Sequence, residues 1–218
     1  MRMILICGSY CRLVSFLISL QAFILVAIIP LIRLKNILHL WCYDRGDCTA
    51  ETVTLLGVLI MGIEKGIALG IILTLVNQLG KISRPHIAVV GRITDTEHYR
   101  NAKRHSVETW HHLLLLRIDE SINFANIDYI EGFVASELIL QPEVKHIILI
   151  FTSVSDVDTT ALEALESLNH DLQASRITLH LSEVKGPVLD KLERSDFLKQ
   201  LKPGKVFFHT EDAVRELA

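Results

Sequence analysis

The chain has 218 residues, half of them hydrophobic, and its mean hydropathy is +0.37. This apolar content exceeds that of an ordinary soluble domain, so part of the chain is predicted to lie in a membrane. The net charge of -3 provides no strongly basic surface for a phosphate backbone, so nucleic acid is not an expected partner.

The first long apolar run is "VSFLISLQAFILVAIIPLI", from Val14 to Ile32, and it contains no charged residue. About 20 apolar residues at about 1.5 Å each cross a hydrocarbon core of about 30 Å, so the run predicts a transmembrane helix. A cleaved signal peptide is the alternative, because Arg12 precedes the run. The run is long for a signal sequence, however, and no small-residue cleavage site follows it.

The second apolar run, Val53 to Leu79, is interrupted by "GIEKG". One continuous helix would place Glu64 and Lys65 near the bilayer centre, at a cost of about 2.5–3.5 kcal/mol each. Two shorter helices broken between Gly62 and Gly66 avoid that cost, so we predict a re-entrant hairpin. A break at membrane depth must be covered by protein, which predicts further helices around this hairpin.

From residue 85 onward the chain reads as a soluble domain, so residues 1–84 are predicted to form a membrane segment and residues 85–218 a cytoplasmic domain. Lys81, Arg84 and Arg92 follow the apolar run and predict the cytoplasmic side. Short apolar blocks predict strands at 87–91, 113–118, 146–152, 177–183 and 205–209. Amphipathic spacing predicts helices at 126–140, 160–172 and 186–196. This alternation indicates an α/β fold with a mixed sheet.

The junction "FTSVSDVDTTALEALE" places Asp156, Asp158, Thr159 and Thr160 together where a predicted strand passes into a predicted helix. Asp158, Thr159 and Thr160 can each accept a hydrogen bond from the first N–H groups of that helix, and Thr160 with Glu163 matches a capping box. Capping accounts for one or two of these residues. Together with Asp156 they form a candidate regulatory or ligand-binding loop, because a helix N-terminus at the end of a strand suits an anion or a phosphorylated hydroxyl.

Several blocks resemble the STAS domain, the fold shared by bacterial anti-sigma-factor antagonists and the cytoplasmic tails of sulfate permeases. They are "DVDTTAL", "ITLHLSEVKGPVLDKLERSDF" and "VFFHTEDAV". The stretch "SRPHIAVVGRITDTEHYRNAKRHSV", followed by "LLLLRIDESINFAN", is similar to the SulP (sulfate permease) branch, in which the tail follows the last membrane helices. In the antagonists the loop serine is the phosphorylation site, and the matching positions here are Asp158, Thr159, Thr160 and Ala161.

The resemblance implies that the chain is the C-terminal part of a SulP-type secondary anion transporter in a bacterial inner membrane. Its STAS domain would help to fold, dimerise or regulate the membrane part. The family's anion site lies in helices that this chain does not contain, so the 218 residues alone are not expected to transport sulfate. The expected partners are the lipid bilayer, the remaining transporter helices and a second copy in a homodimer, and only the complete protein would bind sulfate or a related anion. The alternative is a membrane-anchored STAS module that binds a protein or nucleotide through the Asp156–Thr160 loop.

No Ser-His-Asp order, P-loop or dinucleotide glycine pattern occurs in the sequence, so no catalytic residue, enzyme activity or cofactor is predicted. Four histidines lie close together in sequence but are spread across a predicted loop and lack a cysteine partner, so no metal site is predicted. They are His98, His105, His111 and His112.

Overall fold

The computed structural model describes residues 44–94 and 96–218. The chain divides into two compact units, and the boundary between them lies between Asn77 and Gln78. The sequence predicts a boundary after residue 84, because the composition changes to that of a soluble domain from Pro85 onward. The transmembrane helix predicted at Val14–Ile32 lies outside the described residues.

The described residues before the first strand form a helical hairpin. Helix α1 (Arg45–Met61) is followed, after one residue, by helix α2 (Ile63–Ile82). The connecting residue, Gly62, has φ 91°, a conformation that glycine adopts without strain because it lacks a Cβ. A reversal of direction through one residue brings the two helices together in antiparallel order.

Small residues allow the two helix backbones to approach closely. A Cβ placed on Gly66 would lie 2.3 Å from the backbone nitrogen of Val58, and a Cβ on Gly70 would lie 2.3 Å from Thr54 Oγ1. Close backbone contact of this kind is a common way for helices to associate in membranes. Within the described ranges, α2 is the one helix that is long and apolar enough to cross a membrane, with a mean hydropathy of 1.3 over its best 18-residue window.

The second unit is built on a mixed β-sheet. In the part of the unit that the structure describes, the strands are β1 (Ile87–Arg92), β2 (Tyr99–Asn101), β3 (Leu113–Ile118), β4 (His146–Ile150), β5 (Thr178–Ser182) and β6 (Val206–Phe207). Their order across the sheet is β2-β1-β3-β4-β5-β6. Strand β1 pairs antiparallel with both neighbours, whereas β3 to β6 run parallel. The predicted α/β fold with a mixed sheet is confirmed.

Helices cover both faces of this sheet. The larger core contains Leu114, Leu116 and the helices α3 (Ile127–Leu140), α4 (Thr159–Ala174), α5 (Gly186–Arg194) and α6 (Phe197–Gln200). The smaller core contains Leu113, Leu115 and the C-terminal helix α7 (Thr210–Leu217). Alternate residues of a strand point to opposite faces, so a strand buried on both faces is apolar throughout. This is why "LLLLRI" and "HIILI" are uninterrupted apolar runs.

Candidate functional site

The candidate loop, residues 151–160, leaves the carboxyl end of β4 and enters α4. Three of its side chains, Phe151, Val154 and Val157, are buried in the larger core. The polar residues between them are therefore held at the surface in fixed positions. A strand is predicted as far as residue 152, whereas β4 ends at Ile150.

Asp158 is the residue that caps α4. One carboxylate oxygen accepts a hydrogen bond from the backbone N–H of Ala161 at 2.8 Å, which satisfies a free donor of the first helical turn. The other oxygen accepts from the backbone N–H of Phe124, also at 2.8 Å. The capping box predicted for Thr160 and Glu163 is therefore wrong, because Asp158 already occupies the capping position.

The contact between Asp158 and Phe124 belongs to a short connection between two loops. The N–H of Ile122 donates to the backbone oxygen of Asp156 at 3.1 Å, and the N–H of Asp158 donates to the oxygen of Ile122 at 3.3 Å. Asp158 thus holds both the start of its own helix and the loop that precedes α3. Phe124, whose side chain is 66% exposed, is brought next to the candidate loop, and no sequence pattern indicates it.

Two lysines from the neighbouring segment bind the tip of the loop. Lys191 of α5 forms an ion pair with Asp156 and donates to the backbone oxygen of Val157 at 3.4 Å. The hydrogen bond from Lys191 lowers the pKa of Asp156 below its ordinary value. Lys185 donates to Ser155 Oγ at 2.9 Å. Asp156 therefore serves to hold the loop against α5, and the lysines bring positive charge beside it.

Thr159 and Thr160 occupy the first turn of α4, and both are exposed. Their hydroxyls are accessible beside the N-terminus of the helix, where N–H groups favour negative charge. The structure therefore brings all four predicted loop residues together, but with different roles. Asp156 and Asp158 hold the loop, and the two threonines form its accessible surface.

The other predicted residues lie apart from this loop. Gly62 is the break in the hairpin, whereas Glu64, Lys65 and Gly66 belong to the first turn of α2. The break is shorter than predicted because a single glycine with positive φ suffices to reverse the chain. Glu64 and Lys65 are exposed at the tip of the hairpin, and Gly66 is buried against α1.

Across residues 44–94 and 96–218, no group of three or more His, Cys, Asp or Glu side chains is placed so that it could hold a metal ion. His112 has a structural contact, because its Nε2 lies 3.0 Å from the backbone oxygen of Leu217 at the end of α7.

Comparison with known proteins places these features in one family of domains. The STAS domain model matches residues 104–216. Similar proteins include the high affinity sulfate transporter 2 of Stylosanthes hamata, which is 28% identical over 205 residues covering 89% of this chain and 31% of the relative. The probable sulfate transporter 4.2 of Arabidopsis thaliana is 31% identical over 208 residues, covering 90% and 31%.

Among solved structures, the murine Solute Carrier 26 family member A9 anion transporter has the same fold, with a TM-score of 0.75 and 18% identity over 82% of this chain and 30% of that chain. The chain therefore spans about a third of the length of the relatives it matches. A match over 89% of the chain includes the hairpin as well as the sheet, so the predicted resemblance to the C-terminal part of SulP transporters is confirmed. Since the domain model matches just over half of the residues, the chain belongs to the STAS domain family.

Proposed function

We propose that the chain is the C-terminal part of a SulP-type secondary transporter of sulfate or a related anion. The observation that carries this proposal is the single continuous match to sulfate transporters across the hairpin and the STAS domain. A STAS domain that acted alone would have no need of an apolar hairpin directly before its first strand. Lys81, Arg84 and Arg92 after the hairpin support a cytoplasmic position for the domain.

The surface of the hairpin supports the proposed partners. Large apolar side chains are exposed on both helices, among them Leu59 and Ile60 on α1 and Ile63 and Leu75 on α2. Exposed apolar surface of this extent is unfavourable in water, and lipid or other helices would cover it. We therefore place the hairpin in a bilayer, in contact with the other helices of the complete transporter.

The proposed role of the STAS domain is to help fold, dimerise or regulate the membrane part, and the loop Asp156–Thr160 is its proposed regulatory or ligand-binding site. Support comes from the two exposed hydroxyls of Thr159 and Thr160, which lie on a loop that buried side chains and Asp158 hold in place. A phosphate on either threonine would lie in the first turn of α4, where the free N–H groups of the helix favour negative charge.

The proposal is tested by isolating the native polypeptide from the membranes of the source cells with an antibody against the STAS domain. We expect a protein about three times as long as this chain, because the chain covers 31% of its relatives. Liposomes that contain this longer protein should take up radioactive sulfate saturably. Liposomes that contain the 218 residues alone should take up no more sulfate than empty liposomes. A native polypeptide of only this length would overturn the proposal and favour an anchored STAS module. Saturable uptake by the 218 residues would overturn the claim that the anion site lies elsewhere.

A further inference from the structure

The turn that follows strand β2 carries a cluster of exposed basic side chains. Residues 98–105 contain two arginines, one lysine and two histidines, and no acidic residue. Arg100, Lys103, Arg104 and His105, which together form the basic turn, are all exposed. Strand β2 lies at the edge of the sheet, so no further strand covers this turn.

The positive charge of the basic turn contrasts with the charge of the domain around it. Residues 85–218 contain 21 acidic and 14 basic residues, a net charge of -7 with the histidines neutral. Cations elsewhere in the domain are paired with carboxylates, as Lys191 is with Asp156. In the described part of the chain, neither Arg100 nor Arg104 forms an ion pair. An anionic surface repels the domain as a whole but attracts it at the basic turn.

Hydrogen bonds hold the backbone of the basic turn in one conformation. The backbone oxygen of Asn101 accepts from the N–H groups of Arg104 and His105, both at 3.1 Å, and its side chain accepts from the N–H of Lys103 at 2.8 Å. The ammonium group of Lys103 lies 3.8 Å from the Glu137 carboxylate, yet the Lys103 side chain is 74% exposed. The turn therefore presents its cations without first having to fold, which lowers the entropic cost of binding.

The path of the chain carries the basic turn toward the start of β1. Strand β2 runs antiparallel to β1, and the chain continues in that direction beyond it, where the N–H of Ala102 donates to the backbone oxygen of Val89 at 3.0 Å. Strand β1 begins at Ile87, five residues after α2 ends at Ile82. Five residues span at most about 18 Å, so the chain length alone keeps the start of β1 close to the end of the apolar hairpin.

We propose that the basic turn binds the phosphate groups of anionic lipids in the leaflet that faces the domain. This inference rests on the proposed position of the hairpin in a bilayer. The guanidinium groups of Arg100 and Arg104 would each bind a lipid phosphate through two hydrogen bonds, and Lys103 would add a point charge. Each basic residue near an anionic leaflet strengthens binding about fivefold, so the three together contribute about 100-fold.

The test measures how closely the basic turn approaches the lipid headgroups. The full chain, with its four native cysteines replaced by alanine, carries a spin label at Ser106→Cys, an exposed position next to the turn. It is placed in nanodiscs of phosphatidylcholine, or of an equal mixture with phosphatidylglycerol, and a lipid with a gadolinium chelate on its headgroup relaxes a nearby label. We expect faster relaxation in the anionic nanodiscs, and loss of this effect at about 1 M salt, where the Debye length is about 3 Å.

Neutral variants identify the residues responsible. Combined Arg100→Gln, Lys103→Gln and Arg104→Gln should lower the ratio of bound to unbound label in anionic nanodiscs by about 100-fold. The matched control removes the same charge from three other exposed positions of the domain and should leave the ratio unchanged. Its substitutions are Arg194→Gln, Lys199→Gln and Lys202→Gln. Inorganic phosphate, added at constant ionic strength, should not release the turn from the lipid.

Insertion of the hairpin is measured separately, by incorporation of the chain into the neutral nanodiscs. A chain that enters neither kind of nanodisc would overturn the proposed membrane position, and this inference with it. If the chain inserts, equal relaxation in neutral and anionic nanodiscs overturns this inference alone. An equal loss in the control variant would also overturn it, since net charge and not the basic turn would then be responsible. Release by inorganic phosphate would overturn it in favour of a site for a soluble anion.

Discussion

Replacement of Asp158 by alanine removes two hydrogen bonds that hold different parts of the STAS domain. One carboxylate oxygen caps α4 through the N–H of Ala161, and the other binds the N–H of Phe124 before α3, both at 2.8 Å. Asparagine separates the two contacts, because its single carbonyl oxygen can still cap the helix while its amide group cannot accept from Phe124.

The expected cost follows from these contacts. Loss of an N-cap typically costs about 1 kcal/mol. The bond to Phe124 involves a charged acceptor but lies near solvent, so it adds about 1 kcal/mol, below the range of about 1.5–3 kcal/mol for hydrogen bonds to charged groups. We therefore expect Asp158→Ala to lower the free energy of unfolding by about 2 kcal/mol, and Asp158→Asn by about half as much.

Urea unfolding of the full chain in mild detergent measures these differences. Trp110 reports on the STAS domain, since its ring lies 5.7 Å from the guanidinium carbon of Arg92, and replacement of Trp41 by phenylalanine removes the other tryptophan. Thr160→Ala is the matched control and should change the stability by less than about 0.5 kcal/mol. The assignment of the cap would be refuted if Thr160→Ala cost as much as Asp158→Ala, or if Asp158→Ala left the midpoint unchanged.

In the hairpin, Gly66→Ala should push α2 away from Val58, because its Cβ would lie 2.3 Å from a backbone nitrogen, whereas Gly80→Ala meets open space. Distances between spin labels on α1 and α2 should lengthen in Gly66→Ala and stay the same in Gly80→Ala. Equal distances in the two variants would contradict the close packing of α1 against α2. In the sheet, His180 is 3% exposed, and burial lowers its pKa to about 4. The unfolded chain binds a proton near pH 6.5 that the folded chain does not, so stability should fall by on the order of 2 kcal/mol as the pH drops from about 6.5 to 4. His180→Gln should remove this fall in stability at low pH, whereas His170→Gln, at an exposed site, should leave it unchanged. If urea titrations show the same fall in His180→Gln, another group is responsible.

Local pattern was enough to predict most of the sheet and the long helices. "LLLLRI" and "HIILI" are strands buried on both faces, so their residues are apolar without interruption. The short edge strand β2 was missed, because three residues with polar neighbours produce no recognisable alternation. Helix α7 was missed for a similar reason, since only Ala213 and Val214 of its first five residues are apolar.

The details of the sites depend on tertiary contacts. The sequence offers Asp158, Thr159 and Thr160 as equal candidates for the cap, and the backbone path after Val157 selects Asp158. Its second partner, Phe124, is distant in sequence, so no local pattern could indicate it. Glu137 reads as one polar residue of an amphipathic helix. In the folded domain its side chain is only 8% exposed. Sequence periodicity reports which face of an element is buried, whereas the distances between side chains from different elements are set when the elements pack together.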